Sequence, residues 1–149
     1  MNILITGNMG YVGSSLVNRL RCSYPNAKLI GFDIGYFSSC LTNSNILPEC
    51  NVDVQYFADV RHFPADVLNG IDAVVYLSAI SNDPMGKIFE DVTFEVNCNA
   101  GVNIAKQAKA RGVKAFVYAS SCSIYGYAEG EPRNETSPLN PLVPCPLQW

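Results

Sequence analysis

Apolar and polar positions along the 149-residue chain alternate between the two periods that mark strands and helices. Ile3-Leu4-Ile5 is a short continuous apolar run and predicts a strand over 2–6. Val12, Leu16, Val17 and Leu20 follow at helical spacing, so a helix is expected over 11–21, stopped by Pro25-Asn26. A second apolar run predicts a strand over 28–33. Residues 34–50 are rich in Ser, Asn and Cys without a clear period and read as a loop with room for a short helix. Alternation over 52–57 predicts a third strand, closed by Ala58-Asp59-Val60-Arg61, and 64–68 suits a short helix. The continuous apolar stretch 73–78 is the pattern of a central parallel strand buried on both faces, and it enters a polar loop over 81–84. Val92, Val96, Val102, Ile104, Ala105 and Ala108 predict one long helix over 89–111, with Gly112 as its stop. A fifth strand is expected over 114–119, running into Ser120-Ser121-Cys122-Ser123-Ile124-Tyr125-Gly126.

This order predicts an α/β fold, a doubly wound parallel sheet of the Rossmann type, with a ligand cleft at the carboxyl ends of the strands. The turn after the first strand sharpens that expectation. Gly7, Gly10 and Gly13 form G-x-x-G-x-x-G between strand and helix. The first glycine permits a tight turn, the second lets backbone N–H groups approach a pyrophosphate, and the third allows close helix packing. A glycine-rich turn kept for packing alone would share the pattern, so context decides. Asp33 ends the second strand 20 residues beyond Gly13, the spacing expected of a carboxylate that holds an adenosine ribose. A carboxylate there would repel a 2′-phosphate, which favours NAD over NADP. Asp59, at the end of the third strand, has two readings: contact with an adenine amino group, or a cap on the next segment. Asn97, inside the long helix, is either solvated or holds backbone or water near a cofactor.

Composition narrows the class. Apolar residues make up 48% and charged residues 15%, which suits one globular domain over 1–149. A net charge of −3 argues against nucleic acid or an anionic membrane as partner. Six cysteines show no C-x-x-C pair and the single histidine, His62, is remote from them, so no metal site is expected. The chain opens directly on its first strand without a secretory pattern, and its longest apolar run, around 73–80, is too short to span a membrane; a cytoplasmic location is the expectation.

Taken together, these residues resemble the extended short-chain dehydrogenases/reductases, in the NAD-dependent epimerase/dehydratase group that acts on nucleotide sugars. The likeness covers roughly residues 1–143 and rests on Thr6-Gly7-x-x-Gly10-Tyr11-Val12-Gly13, Asp33, Asp59-Val60, Leu77-Ser78-Ala79-Ile80-Ser81, Asn97 in Val96-Asn97-Cys98, and 120–126. It implies that Gly7, Gly10, Tyr11, Val12 and Gly13 cradle the pyrophosphate of NAD and that Asp33 holds the ribose. Asp59 and Val60 would border the adenine, with Leu77, Ala79 and Asn97 lying along the cofactor. Ser121 would be the catalytic hydroxyl, bonded to the sugar oxygen whose carbon gives up a hydride on the way to a keto-sugar. Considered without that context, a strand-end serine bonding backbone is an ordinary structural feature.

Two departures from the family pattern matter. Dehydratases of the group carry an Asp-Glu pair after the catalytic hydroxyl, whereas this chain has Cys122 and Ser123, which favours epimerisation, or another redox-neutral or reductive step, over 4,6-dehydration. The family's tyrosine base, followed four residues later by lysine, falls in register on Cys145 and Trp149. Cysteine is shorter than tyrosine, and tryptophan carries no positive charge to lower a neighbouring pKa. The resemblance therefore implies the cofactor-binding part of a nucleotide-sugar enzyme, without the C-terminal substrate-binding region. A non-catalytic NAD-binding module or a truncated remnant is the alternative. The fifth strand is expected to be a sheet edge, open to self-association as a homo-oligomer.

Overall fold

In the computed structural model, residues 1–37, 47–81, 88–127, 130 and 132–140 are described. Cys145, Trp149 and positions 82–84 of the polar loop lie outside them. Five parallel strands form one sheet: β1 (Asn2–Thr6), β2 (Lys28–Asp33), β3 (Val54–Phe57), β4 (Ala73–Tyr76) and β5 (Ala115–Tyr118). Their spatial order is β3-β2-β1-β4-β5, so the chain winds outward in one direction from β1 and then restarts beside it with β4. The crevice between β1 and β4 is the topological switch point, where ligands bind in doubly wound sheets. Both predicted outcomes hold: the fold is of the Rossmann type, and β5 is an edge of the described sheet.

Alternation along the strands sorts the core into two layers. Ile3, Ile5 and Leu29 face α1 (Tyr11–Ser23) and pack with Val17 and Ala27. Leu4, Ile30, Phe32, Val74 and Tyr76 face the other way and form the larger layer with Val60, Phe63, Leu68, Ala100, Ile104 and Ala108. Because β1 and β2 are covered on both faces, they read as unbroken apolar runs. β3 and β4 are shorter than predicted, and the short helix expected over 64–68 is a 3-10 turn at Ala65–Leu68.

The predicted single helix over 89–111 needs correction. It consists of α2 (Glu90–Phe94), a π-helical segment (Glu95–Ala100) and α3 (Gly101–Ala110), joined without a break in helical backbone. The cause lies in the spacing of the apolar residues. Val96, Ala100, Ile104 and Ala108, all in the larger layer, recur every fourth residue. On a 3.6-residue helix each such step overshoots by about 40°, and the wider π turn takes out the first overshoot.

Candidate functional site at the carboxyl ends of the strands

β1 delivers the chain into the glycine turn at the switch point. Gly7 has φ +71°, and a methyl group there would sit 2.8 Å from the backbone of Leu77 and Ser78, so only glycine lets the turn lie against the chain leaving β4. The two exits are also bonded: Thr6 Oγ1, fully buried, accepts from Leu77 N at 3.3 Å and Ser78 N at 3.4 Å. Gly13 is buried against the carbonyl of Gly7 and the backbone of Asn8, so the third glycine packs α1 onto the turn itself. Gly10 precedes α1 and offers no side-chain cap, and the first turn of α1 contains no acidic residue. The N–H groups of Tyr11, Val12 and Gly13 therefore keep the unpaired donors and partial positive charge of a helix start.

Asp33 ends β2 beside this turn. Its Oδ2 accepts from Met9 N at 3.0 Å and its Oδ1 from Gly35 N at 2.8 Å, which fixes the carboxylate between the glycine turn and the chain leaving β2. Asp59 makes the contacts of its capping reading: it caps the 3-10 turn Val60–His62 through Arg61 N at 2.9 Å and pairs with the Arg61 guanidinium at 2.5 Å. The Arg61 side chain holds the Asp59 carboxyl below the usual carboxylate range, against a smaller opposing effect of burial. Val60 is buried in the larger core layer.

Asn97 sits in the π segment and bonds the backbone of the loop after β4. Ile80 N donates to Asn97 Oδ1 at 2.8 Å and Asn97 Nδ2 donates to Ile80 O at 3.0 Å, so one side chain clasps both backbone polar groups of Ile80. Leu77 is half-buried and Ala79 exposed on that loop. Two tyrosines fix the π segment in turn. Tyr76 and Tyr118 stack with centroids 5.4 Å apart and planes 7° from parallel, and their hydroxyls donate to the carbonyls of Val96 at 2.6 Å and Asn97 at 2.5 Å. Burial pushes the Tyr76 hydroxyl far above the usual phenol range, so it remains a neutral donor.

Three residues after β5, Ser121 is exposed and caps the 3-10 turn Cys122–Tyr125. Its Oγ lies 2.9 Å from Ser123 Oγ and accepts from Ser123 N at 3.2 Å. Gly7, Asp33, Asp59, Leu77 and Ser121 thus occur at or just past the carboxyl ends of five successive strands, on one edge of the sheet. Among the described residues, no group of three or more His, Cys, Asp or Glu could hold a metal ion, and no helix is long and apolar enough to cross a membrane.

The sequence profile of the NAD dependent epimerase/dehydratase family matches residues 3–148. The chain belongs to this family. The family is NAD-dependent, and the architecture above is its cofactor-binding fold. Similar sequences include an uncharacterized UDP-glucose epimerase of Bacillus subtilis, YtcB, 32% identical over 97% of this chain and 47% of that protein. The UDP-glucose 4-epimerase of Lacticaseibacillus casei is 26% identical over 97% of this chain and 42% of that protein. Among solved structures, TunA, an NAD-dependent NDP-hexosamine 5,6-dehydratase of tunicamycin biosynthesis, superposes with a TM-score of 0.81 at 25% identity, covering 97% of this chain and 45% of that one. MoeE5 in complex with UDP-glucose and NAD gives 0.79 at 26% identity, covering 98% and 44%. The chain therefore spans less than half the length of these relatives.

Sequence reasoning missed Asn8, Gln55, Tyr76 and Tyr118. The tyrosines are apolar by pattern, so their hydroxyls carried no signal. Gly31 inside a buried strand was a legible mark of close approach, and the amide pair of Asn8 and Gln55 is what approaches it.

Proposed function

We propose that this chain binds NAD across the switch point and supplies the cofactor-binding part of an enzyme that acts on a nucleotide sugar by removing a hydride to give a keto-sugar. The observation that carries this reading is the bond from Met9 N to Asp33, which ties the carboxylate at the end of β2 to the glycine turn that leads into the uncapped start of α1. Tyr11, Val12 and Gly13 would offer backbone donors to the pyrophosphate, Gly7 and Gly10, whose own N–H groups bond Phe32 O and Gly7 O, would let it lie close to the chain, and Asp33 would accept from the ribose hydroxyls. Val60 and Asp59 would border the adenine, whose amino group would have to replace one of the Arg61 bonds to Asp59. Leu77, Ala79 and Asn97 would line the nicotinamide end, Asn97 by holding Ile80 in place. NAD, when bound, supplies the hydride acceptor. Ser121 would donate a hydrogen bond to the sugar oxygen at the reacting carbon once its Oγ turns from Ser123. Cys122 and Ser123 in place of an Asp-Glu pair favour epimerisation over 4,6-dehydration.

A second reading, an NAD-binding module without catalysis, is favoured by Cys145 and Trp149 standing where the family has its tyrosine and lysine. Titration calorimetry with NAD, followed by UDP-sugars added to the loaded chain while NADH fluorescence is watched, separates the two. NAD binding lost in Asp33→Ala and Gly10→Val, with folding intact, supports both readings; reduction on sugar addition selects the first. A folded wild-type chain that does not bind NAD refutes both.

A further inference from the structure

Asn8 lies between two residues of the glycine turn and has no exposed surface. Its Nδ2 donates to Gln55 Oε1 at 2.7 Å, and Gln55 Nε2 donates back to Asn8 Oδ1 at 3.3 Å and to Tyr56 O at 2.9 Å. The pair crosses β2 at Gly31, which is in register with Gln55; a methyl group at Gly31 would lie 2.7 Å from Asn8 Cγ. The Asn8 side chain is buried over Gly31, where a small apolar side chain would avoid the cost of burying an amide. What the amide adds is direction: two planar groups with both ends paired fix rotation as well as position. The next residue is held in the same way, Met9 N by Asp33. Successive residues of the turn are thus anchored from β3 and from β2.

We infer that Asn8 and Gln55 are positioning residues, which set the glycine turn so that the free N–H groups of Tyr11, Val12 and Gly13 at its exit are aimed at a pyrophosphate, without touching it. The inference rests on the proposed binding of NAD and adds a role for residues outside the contact set. Its test uses the full chain as wild type, Gln55→Leu, Gly31→Ala and the double variant Asn8→Ala/Gln55→Leu. Gln55→Leu leaves a buried amide unpaired and lowers stability, whereas the double variant removes both amides and recovers melting close to wild type. Affinity for NAD and ADP is expected to fall about tenfold in all three, while affinity for adenosine, which has no phosphate, is unchanged. Amide hydrogen exchange at Met9 and Gly10 should accelerate in the double variant without ligand. A double variant that melts like wild type and binds ADP equally well overturns the inference and leaves NAD binding standing, as does unchanged exchange at both amides. A wild-type chain that binds neither NAD nor ADP overturns the inference together with the proposed function.

Discussion

Asn97→Asp offers a sharp check on how the loop after β4 is held. The amide orientation of Asn97 is unambiguous because one partner, Ile80 N, can only donate and the other, Ile80 O, can only accept. An ionised aspartate keeps the first bond and sets its second oxygen against the Ile80 carbonyl. The loss of one part-buried bond is worth about 1 kcal/mol and the unpaired carbonyl costs about 1–2 kcal/mol more, a total of roughly 2–3 kcal/mol. For a chain of this length that lowers the melting temperature by roughly 5–10 °C. The carboxyl of the variant is pushed up in the folded state, because only its protonated form can donate to Ile80 O. Its folded pKa therefore lies above the unfolded one: the deficit is absent below the unfolded pKa and grows as pH rises through the folded pKa. Urea titrations of wild type, Asn97→Asp and Asn97→Leu in parallel, with each variant referred to wild type at the same pH, measure this. The aspartate variant should approach wild type in acid while the leucine variant stays destabilised at every pH. Equal, pH-independent deficits in the two variants would refute the clasp.

Gly7→Ala combines a left-handed backbone at φ +71° with a methyl 2.8 Å from backbone, so a loss of roughly 2–5 kcal/mol is expected in chemical denaturation. Asp53 accepts from the Arg21 guanidinium at 2.8 Å and from Leu29 N at 2.7 Å, and these bonds hold its carboxyl below the ordinary value of 3.8. The advantage of wild type over Asp53→Asn should be complete above that ordinary value and vanish as pH falls through the lowered one, read as the difference between their acid-unfolding curves.

Most of the scaffold was legible because β1, β2 and the buried core of β4 are covered on both faces, and burial writes itself as continuous apolar sequence. The glycine turn and Asp33 were legible because steric demands at a strand-to-helix turn leave few residue choices. The π segment was not read, although the fourfold spacing from Val96 to Ala108 contained the signal; apolar periodicity was matched to an α template that tolerates such drift over short windows. Asp59 stayed ambiguous because a carboxylate at a strand end suits a ligand and a cap equally, and its partner in the cap, Arg61, carries no pattern that marks it as one. Asn8 was invisible because a polar residue inside a turn reads as solvated, whereas here the turn folds it over a neighbouring strand.

Gly31 restricts the order in which this molecule can change. A side chain at position 31 and the amide pair above it compete for one space, so the three positions form a set whose substitutions are not independent. A lineage that replaced Gly31 first would wedge apart a buried pair and pass through its least stable form. One that first shortened Asn8, leaving the part-exposed Gln55 amide to water, and then made position 55 apolar would open room at 31 without stranding a buried amide. History can enter this arrangement, or leave it, more easily by the amides than by the glycine.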